Sequence, residues 1–401
     1  MKAMHDGRRN ESASMVYRAG WVVCDPWTLY PDGFVHVENG RIQDIGAGAG
    51  PRHVPVTDCG DGVMLPALVN AHTHLELSAL KGKLSTQNGF TSWVQELLRQ
   101  RALLGLEALA AAADAAVADM IASGCGAVGE ISTLGVTRAS LRRSGLSGVW
   151  FQEVLGGYMP EIAAEETPRH DLLRMSVAGH APHTTAPDVL RAAKAETRRR
   201  GAPFSIHLAE SDEEVRFLKT ASGPWKEFLI SRGIDPSAWG LPAPSPVRYL
   251  RQIGILNSGT ILVHVLHADH EDMDMIGQSG AHVCLCPRSN QALHHRLPDI
   301  VAMLKRGVRL CLGTDSLAST DSLNLLDEMR FIAAHYPSIA PEIIFQMVTS
   351  GGAKALGIED HLGSLTPGKM GKPAYAPVRV SRASDVLDAV LHEGILQEAA
   401  S

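Results

Sequence analysis

Aromatic side chains make up only 5% of the 401-residue chain, and no block of lysines or arginines interrupts a mildly acidic balance of −6. Surfaces that bind nucleic acid or membranes need clustered positive charge, so neither partner is expected, and the substrate should be a small molecule. No uninterrupted apolar stretch reaches the roughly 18 residues of a membrane helix. The opening MKAMHDGRRNESAS lacks the apolar core of a signal peptide, which points to the cytoplasm. Cysteine is sparse, and the six residues (Cys24, Cys59, Cys125, Cys284, Cys286, Cys311) lie mostly in apolar runs, as buried free thiols rather than a disulfide framework. Cys284 and Cys286 alternate in HVCLCP, share one strand face and make no CxxC pair. What is present, 45% apolar and 20% charged residues, is the composition of an ordinary globular protein.

The chain is longer than the roughly 250 residues of a plain (β/α)₈ barrel and leaves room for a small appendage. From Val16 to about Val63 it reads as short strands, with Asn39-Gly40 as a two-residue hairpin turn because both positions tolerate positive φ. Beyond that, eight apolar runs alternate with helical patterns: VMLPALVNAH, GAVGEIS, GVWFQEV, MSVAGHAP, PFSIHLAE, TILVHVL, HVCLCP and VRLCLGTDS. The helix GLEALAAAADAAVADMIASG should stop at Gly124, and APDVLRAAKAETRRRG should start at its proline and stop at Gly201. Near-continuous apolar strands separated by helices mean a parallel sheet covered on its outer face, and eight of them suggest closure. The expected fold is therefore α/β: a TIM-type barrel over residues 63–362, with a small β-sandwich domain formed by residues 1–62 and 363–401.

Barrel enzymes place their chemistry at the C-terminal ends of the strands. Here the first run ends in His72-Thr73-His74, the fifth in His207, the sixth in His264 and the eighth in Asp315. Residues two apart on a strand share a side, so His72 and His74 can face one metal. Neutral imidazoles and a carboxylate with an open position make a catalytic site for one divalent ion, zinc by preference with iron(II) as the alternative. His72, His74, His207 and Asp315 form the candidate ligand set; the competing reading is hydrogen-bonded core histidines and a capping aspartate. Glu210, three residues past His207, can shuttle a proton without being a ligand, or can merely favour the next helix's dipole. His264 would orient the metal water together with Asp315, while His267 and His270 are expected to be structural or surface residues.

These motifs resemble the amidohydrolase superfamily. The likeness runs through LPALVNAHTHLELS, HAPHTT, SIHLAES, LVHVLHAD, CPRSN, LGTDSLAS and GSLTPGK. It implies that His72, His74, His207 and Asp315 hold one metal. Binuclear branches add a carboxylated lysine at strand four, and SVAGHAPHTT has none, which implies the one-metal deaminase and chlorohydrolase branch. Within it, HTHLELSALKG, GFTSW, GPWKEFL and CPRSN resemble the aminodeoxyfutalosine deaminases of the alternative menaquinone pathway. One departure is GKMGKPAYAP, where relatives usually read GKDADLV, and it puts the last strand of the small domain in doubt.

The implied reaction exchanges an exocyclic amino group on a purine-like ring for oxygen. A bound metal would lower the pKa of its water from about 15.7 toward 7, and Glu210 would protonate the adjacent ring nitrogen. Glu76 and His183 are candidates for contacting the substrate, Asn290 for positioning it and Arg288 for pairing with an anionic group. Each has a plainer reading as packing or a surface ion pair. The rivals are deaminases of S-adenosylhomocysteine, adenosine or guanine, a triazine chlorohydrolase, a two-metal amide-ring hydrolase and an inactive metal-binding scaffold. A homodimer is compatible with all of them.

Overall fold

The structure, a computed structural model, describes residues 14–87, 89–161 and 172–399; the opening stretch read for targeting signals lies outside them. Five strands come first: β1 (Ser14–Asp25), β2 (Thr28–Glu38), β3 (Arg41–Ala47), β4 (Val56–Asp58) and β5 (Val63–Pro66). Asn39 at φ 53° and Gly40 at φ 75° turn β2 into β3, as the Asn-Gly pair demands.

Eight parallel strands follow: β6 (Leu68–Thr73), β7 (Cys125–Ser132), β8 (Ser147–Val154), β9 (Leu173–Gly179), β10 (Phe204–Leu208), β11 (Thr260–His264), β12 (His282–Leu285) and β13 (Arg309–Leu312). Each pairs with the next in chain order. The first and last meet through a parallel bridge between Thr73 and Asp315. The run from Val63 to His72 is two strands rather than one. β5 spends its hydrogen bonds on β1 and on β14 (Pro373–Ala376), so the crossing into the barrel falls at Ala67.

β14 is formed by the departing segment PAYA, and it also pairs with β15 (Gln397–Glu398). The Gly62 N–H donates to the Tyr375 hydroxyl at 3.1 Å and ties this segment to the entry of β5. The expected β-sandwich is hydrogen-bonded as one mixed seven-stranded sheet. The reason is β1: twelve residues long, it carries β2 along one edge and β4 then β5 along the other.

The helices form where the pattern places them. Leu106–Ala122 ends before Gly124 at φ 81°, and Pro187–Arg200 starts on proline and ends on Gly201 at φ 60°. The largest apolar cluster includes Val177, Phe204, Ile206, Leu262 and Val283, while Cys284, Cys286 and Cys311 join Val69, Phe151 and Val263 in a second. All six cysteines are free thiols. Among the described residues no helix is long and apolar enough to cross a membrane.

Gly313 carries the chain from β13 past β6, and a Cβ there would stand 2.6 Å from the His72 carbonyl oxygen and 2.9 Å from its nitrogen. Backbone on both sides cannot give way. Gly313→Ala should therefore cost about 1–3 kcal/mol of stability in denaturant titration and weaken retained metal measured by elemental analysis. An unchanged unfolding midpoint would show that the barrel seam is not tight.

Candidate metal centre and active site

β6 delivers His72 and, one residue past its end, His74; β10 delivers His207, β11 ends on His264, and Asp315 follows β13. His74 Nε2 stands 3.2 Å from His207 Nε2. Asp315 Oδ1 stands 3.9 and 3.8 Å from the Nε2 atoms of His72 and His74. Ligand-type atoms of His72, His207 and His264, and those of His72, His74 and Asp315, fall within 4.8 Å of one another. The expected ligand set thus converges, with His264 at its edge.

Whether these residues fit a metal is tested by His72. It is fully buried, yet neither ring nitrogen has a hydrogen-bond partner. An unpaired buried polar group costs about 1–3 kcal/mol, a deficit that a cation at the lone pair removes. His207 Nδ1 donates to the His180 carbonyl at 2.8 Å, which leaves the Nε2 lone pair facing the cluster. Ser289 and Ser319 donate their hydroxyls to Asp315 Oδ2, the latter at 3.1 Å, and free Oδ1 for the cluster. Burial first, then the adjacent imidazoles, holds His72 and His74 well below the ordinary histidine range, so both are neutral as ligands must be.

The backbone is strained where the strands deliver these groups. Ala209, His264, Val265 and Asp315 have φ of 50°, 75°, 52° and 57°, a region costing non-glycine residues of order 1–3 kcal/mol each. The surroundings enforce it. Glu214 accepts the N–H groups of Ala209 and Glu210, both at 2.8 Å, and burial pushes its carboxyl up to about 8. Ser211 caps the helix Asp212–Thr220, so Glu210 precedes that helix and is free to face the cluster. Glu210 Oε1 stands 3.5 Å from His264 Nε2 and 3.2 Å from His294 Nε2. Burial raises its pKa, but His264, His294 and His207 outweigh that and hold the carboxylate well below its usual range.

A cavity of ≈ 250 Å³ opens onto His74, His207, Glu210, His264 and Asp315, walled by Phe90, Trp93 and Trp225 among others. Glu76 and His183 line it too. Glu76 is held by neighbouring donors: its oxygens accept from the Ser132 hydroxyl at 2.8 Å and from the N–H groups of Thr133 and Leu134 at 3.0 Å. His183 packs its ring 4.9 Å from Trp225. Asn290 lies behind His264, donating to its Nδ1 at 2.8 Å. Arg288 is not brought to the cavity. Ser289 and Asn290 occupy the barrel-facing side of the helix Pro287–His294, and Arg288 turns away to Asp321 and Glu328.

Sequence reading missed Glu153, His180 and Arg101, which line the cavity, and His294, which meets Glu210. Glu153 and His180 sit at or just past the ends of β8 and β9, where the strand-end test applied to the other runs would have found them. Arg101 and His294 lie on helices, and no local signal marks them.

The convergence predicts one metal per chain and its loss in His207→Ala, measured by elemental analysis; two tightly held ions would sink the one-metal reading. His183 and His180 are each lowered to about 3, chiefly by burial. Such groups bind protons only when unfolded, so their contribution is intact above pH ~6.5 and lost as pH falls toward 3, by up to about 1.4 kcal/mol per unit each. Urea titrations at pH 7 and pH 5 should show His183→Gln losing less stability on acidification than wild type, and equal losses would refute this origin.

Residues 63–371 match the Amidohydrolase family. The chain is 29% identical to a 5-methylthioadenosine/S-adenosylhomocysteine deaminase of Syntrophobacter fumaroxidans, over 92% of this chain and 91% of that one. It is 32% identical to the aminodeoxyfutalosine deaminase of Deinococcus radiodurans, over 74% and 73%. Its fold is shared by Helicobacter pylori aminofutalosine deaminase in complex with methylthio-coformycin, with a TM-score of 0.83 at 23% identity over 96% and 97% of the two chains. A zinc-bound adenosine deaminase of Xanthomonas campestris gives a TM-score of 0.76 at 23% identity over 96% and 89%. With the family matched across the whole barrel and its histidines gathered at the strand ends, this chain belongs to the amidohydrolase family and is a metal-dependent hydrolase.

Proposed function

We propose that the protein hydrolytically deaminates an adenosine-like nucleoside, with aminodeoxyfutalosine as the favoured substrate and a place in the alternative route to menaquinone. The carrying observation is Glu210, a buried carboxylate beside the ligand cluster that belongs to none of its candidate metal groups. The relatives named for deaminating 5′-substituted adenosines support the same reading.

When bound by His72, His74, His207 and Asp315, a divalent metal, zinc in our assignment, supplies the Lewis acidity that makes water nucleophilic at neutral pH. The chain's own residues manage protons and position. Glu210 starts as a carboxylate, takes one proton from the attacking water and places it on the ring nitrogen beside the reacting carbon. The second water proton goes to the amino group, which departs as ammonia. His264 accepts from Asn290 at Nδ1, so its proton sits on Nε2 and faces Glu210, fixing that carboxylate's direction. Phe90, Trp93 and Trp225 offer flat apolar walls that suit a purine and exclude water.

Ammonia release from adenosine, methylthioadenosine, S-adenosylhomocysteine and aminodeoxyfutalosine tests this, and no release from any of them refutes it. Glu210→Gln should keep its metal and lower kcat by about 10²–10⁴-fold, the usual worth of general acid–base assistance. A variant with near-native turnover would remove Glu210 from the chemistry.

A further inference from the structure

Two guanidinium groups at the cavity mouth have no hydrogen-bond partner among the described residues: Arg101 and Arg232. The nearest acid to Arg101 is Glu76, whose Oε1 lies 3.8 Å from Nη1. That carboxylate already accepts three donors from residues 132–134, so it leaves the guanidinium's donors free. Arg101 is 21% exposed and Arg232 lies at the surface.

The pair marks a passage. Leu98, Arg101, Phe228 and Arg232 line both the inner cavity of ≈ 250 Å³ and an outer cleft of ≈ 600 Å³. They form the partition between the catalytic end and solvent. Around them the inner wall is apolar, with Leu97, Leu155 and Ile234.

Resting on the deaminase reading above, we infer that Arg101 and Arg232 select adenosine-like substrates whose 5′ substituent is apolar and ends in a carboxylate. The base occupies the metal end, the apolar part of the substituent crosses the leucine and phenylalanine rim, and the carboxylate meets the two guanidiniums. Their planar forks match a carboxylate bidentately. A small neutral substituent would leave Arg101 with only the 3.8 Å approach of Glu76 and neither guanidinium hydrogen-bonded. A zwitterionic one would bring an ammonium beside two arginines, with Glu76 already accepting three donors and Glu153 buried.

Steady-state kinetics on three probes test this: methylthioadenosine (neutral), S-adenosylhomocysteine (zwitterionic) and aminodeoxyfutalosine (apolar with a carboxylate). Wild type should prefer the third. Arg101→Met should lower its kcat/KM by about 10- to 100-fold, mainly through KM, because the contact is to a charged group. The methylthioadenosine rate should stay within about threefold, and Arg101→Lys should recover part of the loss by keeping the charge. Arg232→Met, at an exposed position where misfolding is no concern, should shift the same way by a smaller factor, and added salt should raise KM for the carboxylate probe alone. A wild-type preference for methylthioadenosine, equal losses on all three probes, or no loss on any would overturn the assignment while leaving the deaminase intact. Ammonia from none of the three would instead sink the deaminase reading and this inference with it.

Discussion

The seam between β6 and β13 is the contact on which everything else rests. The His72 carbonyl accepts the N–H groups of Thr314 and Asp315 at 3.0 and 3.2 Å. Beside it, Asn70 donates its side-chain amide to the Thr314 hydroxyl at 2.8 Å and accepts the Thr314 N–H at 3.2 Å. These bonds join chain segments more than two hundred residues apart. They close the barrel, and they also fix the distance from Asp315 to the imidazoles of His72 and His74. Stability and the spacing of the candidate ligands are therefore set by the same few hydrogen bonds.

Around that seam the protein concentrates groups that would otherwise be unfavourable together. Four imidazoles and two carboxylates are buried within one cluster, and four backbone positions near them lie in the left-handed region. Such strain persists only where neighbours over-determine it. Glu214 does so for Ala209 and Glu210, while the Val265 N–H does so for β11 by reaching the Leu208 carbonyl at 3.0 Å. The unpaired nitrogens of His72 are the counterpart: a cation at the cluster would remove that deficit and so add to stability.

On the proposed reading, the cavity divides its labour along its length. At the barrel end lie Glu210, His264 and the candidate ligand set, held by hydrogen bonds from strand ends and short loops. At the mouth lie side chains from the helix Phe90–Leu103 and from the segment after the helix Pro224–Ser231. Strand ends are rigid and suit proton transfer at fixed distances, whereas peripheral helices can vary without disturbing the barrel and suit discrimination among substituents.

The sequence alone determined the eight barrel strands, the hairpin at Asn39-Gly40 and the two glycine-stopped helices, because hydrophobic period and turn chemistry are local. It also exposed His72, His74, His207, His264 and Asp315, since a polar residue ending an apolar run stands out whatever its partners. Tertiary structure decided the rest. The break at Ala67 depended on which edges already had partners, and so did the single mixed sheet built along β1. Arg288 carried the right chemistry in the right loop, but its helix turned it to Asp321 and Glu328. Arg101 and Arg232 reached the mouth from helical regions whose facing no local pattern specifies. Period and capping fix what an element is; only packing fixes what its side chains meet.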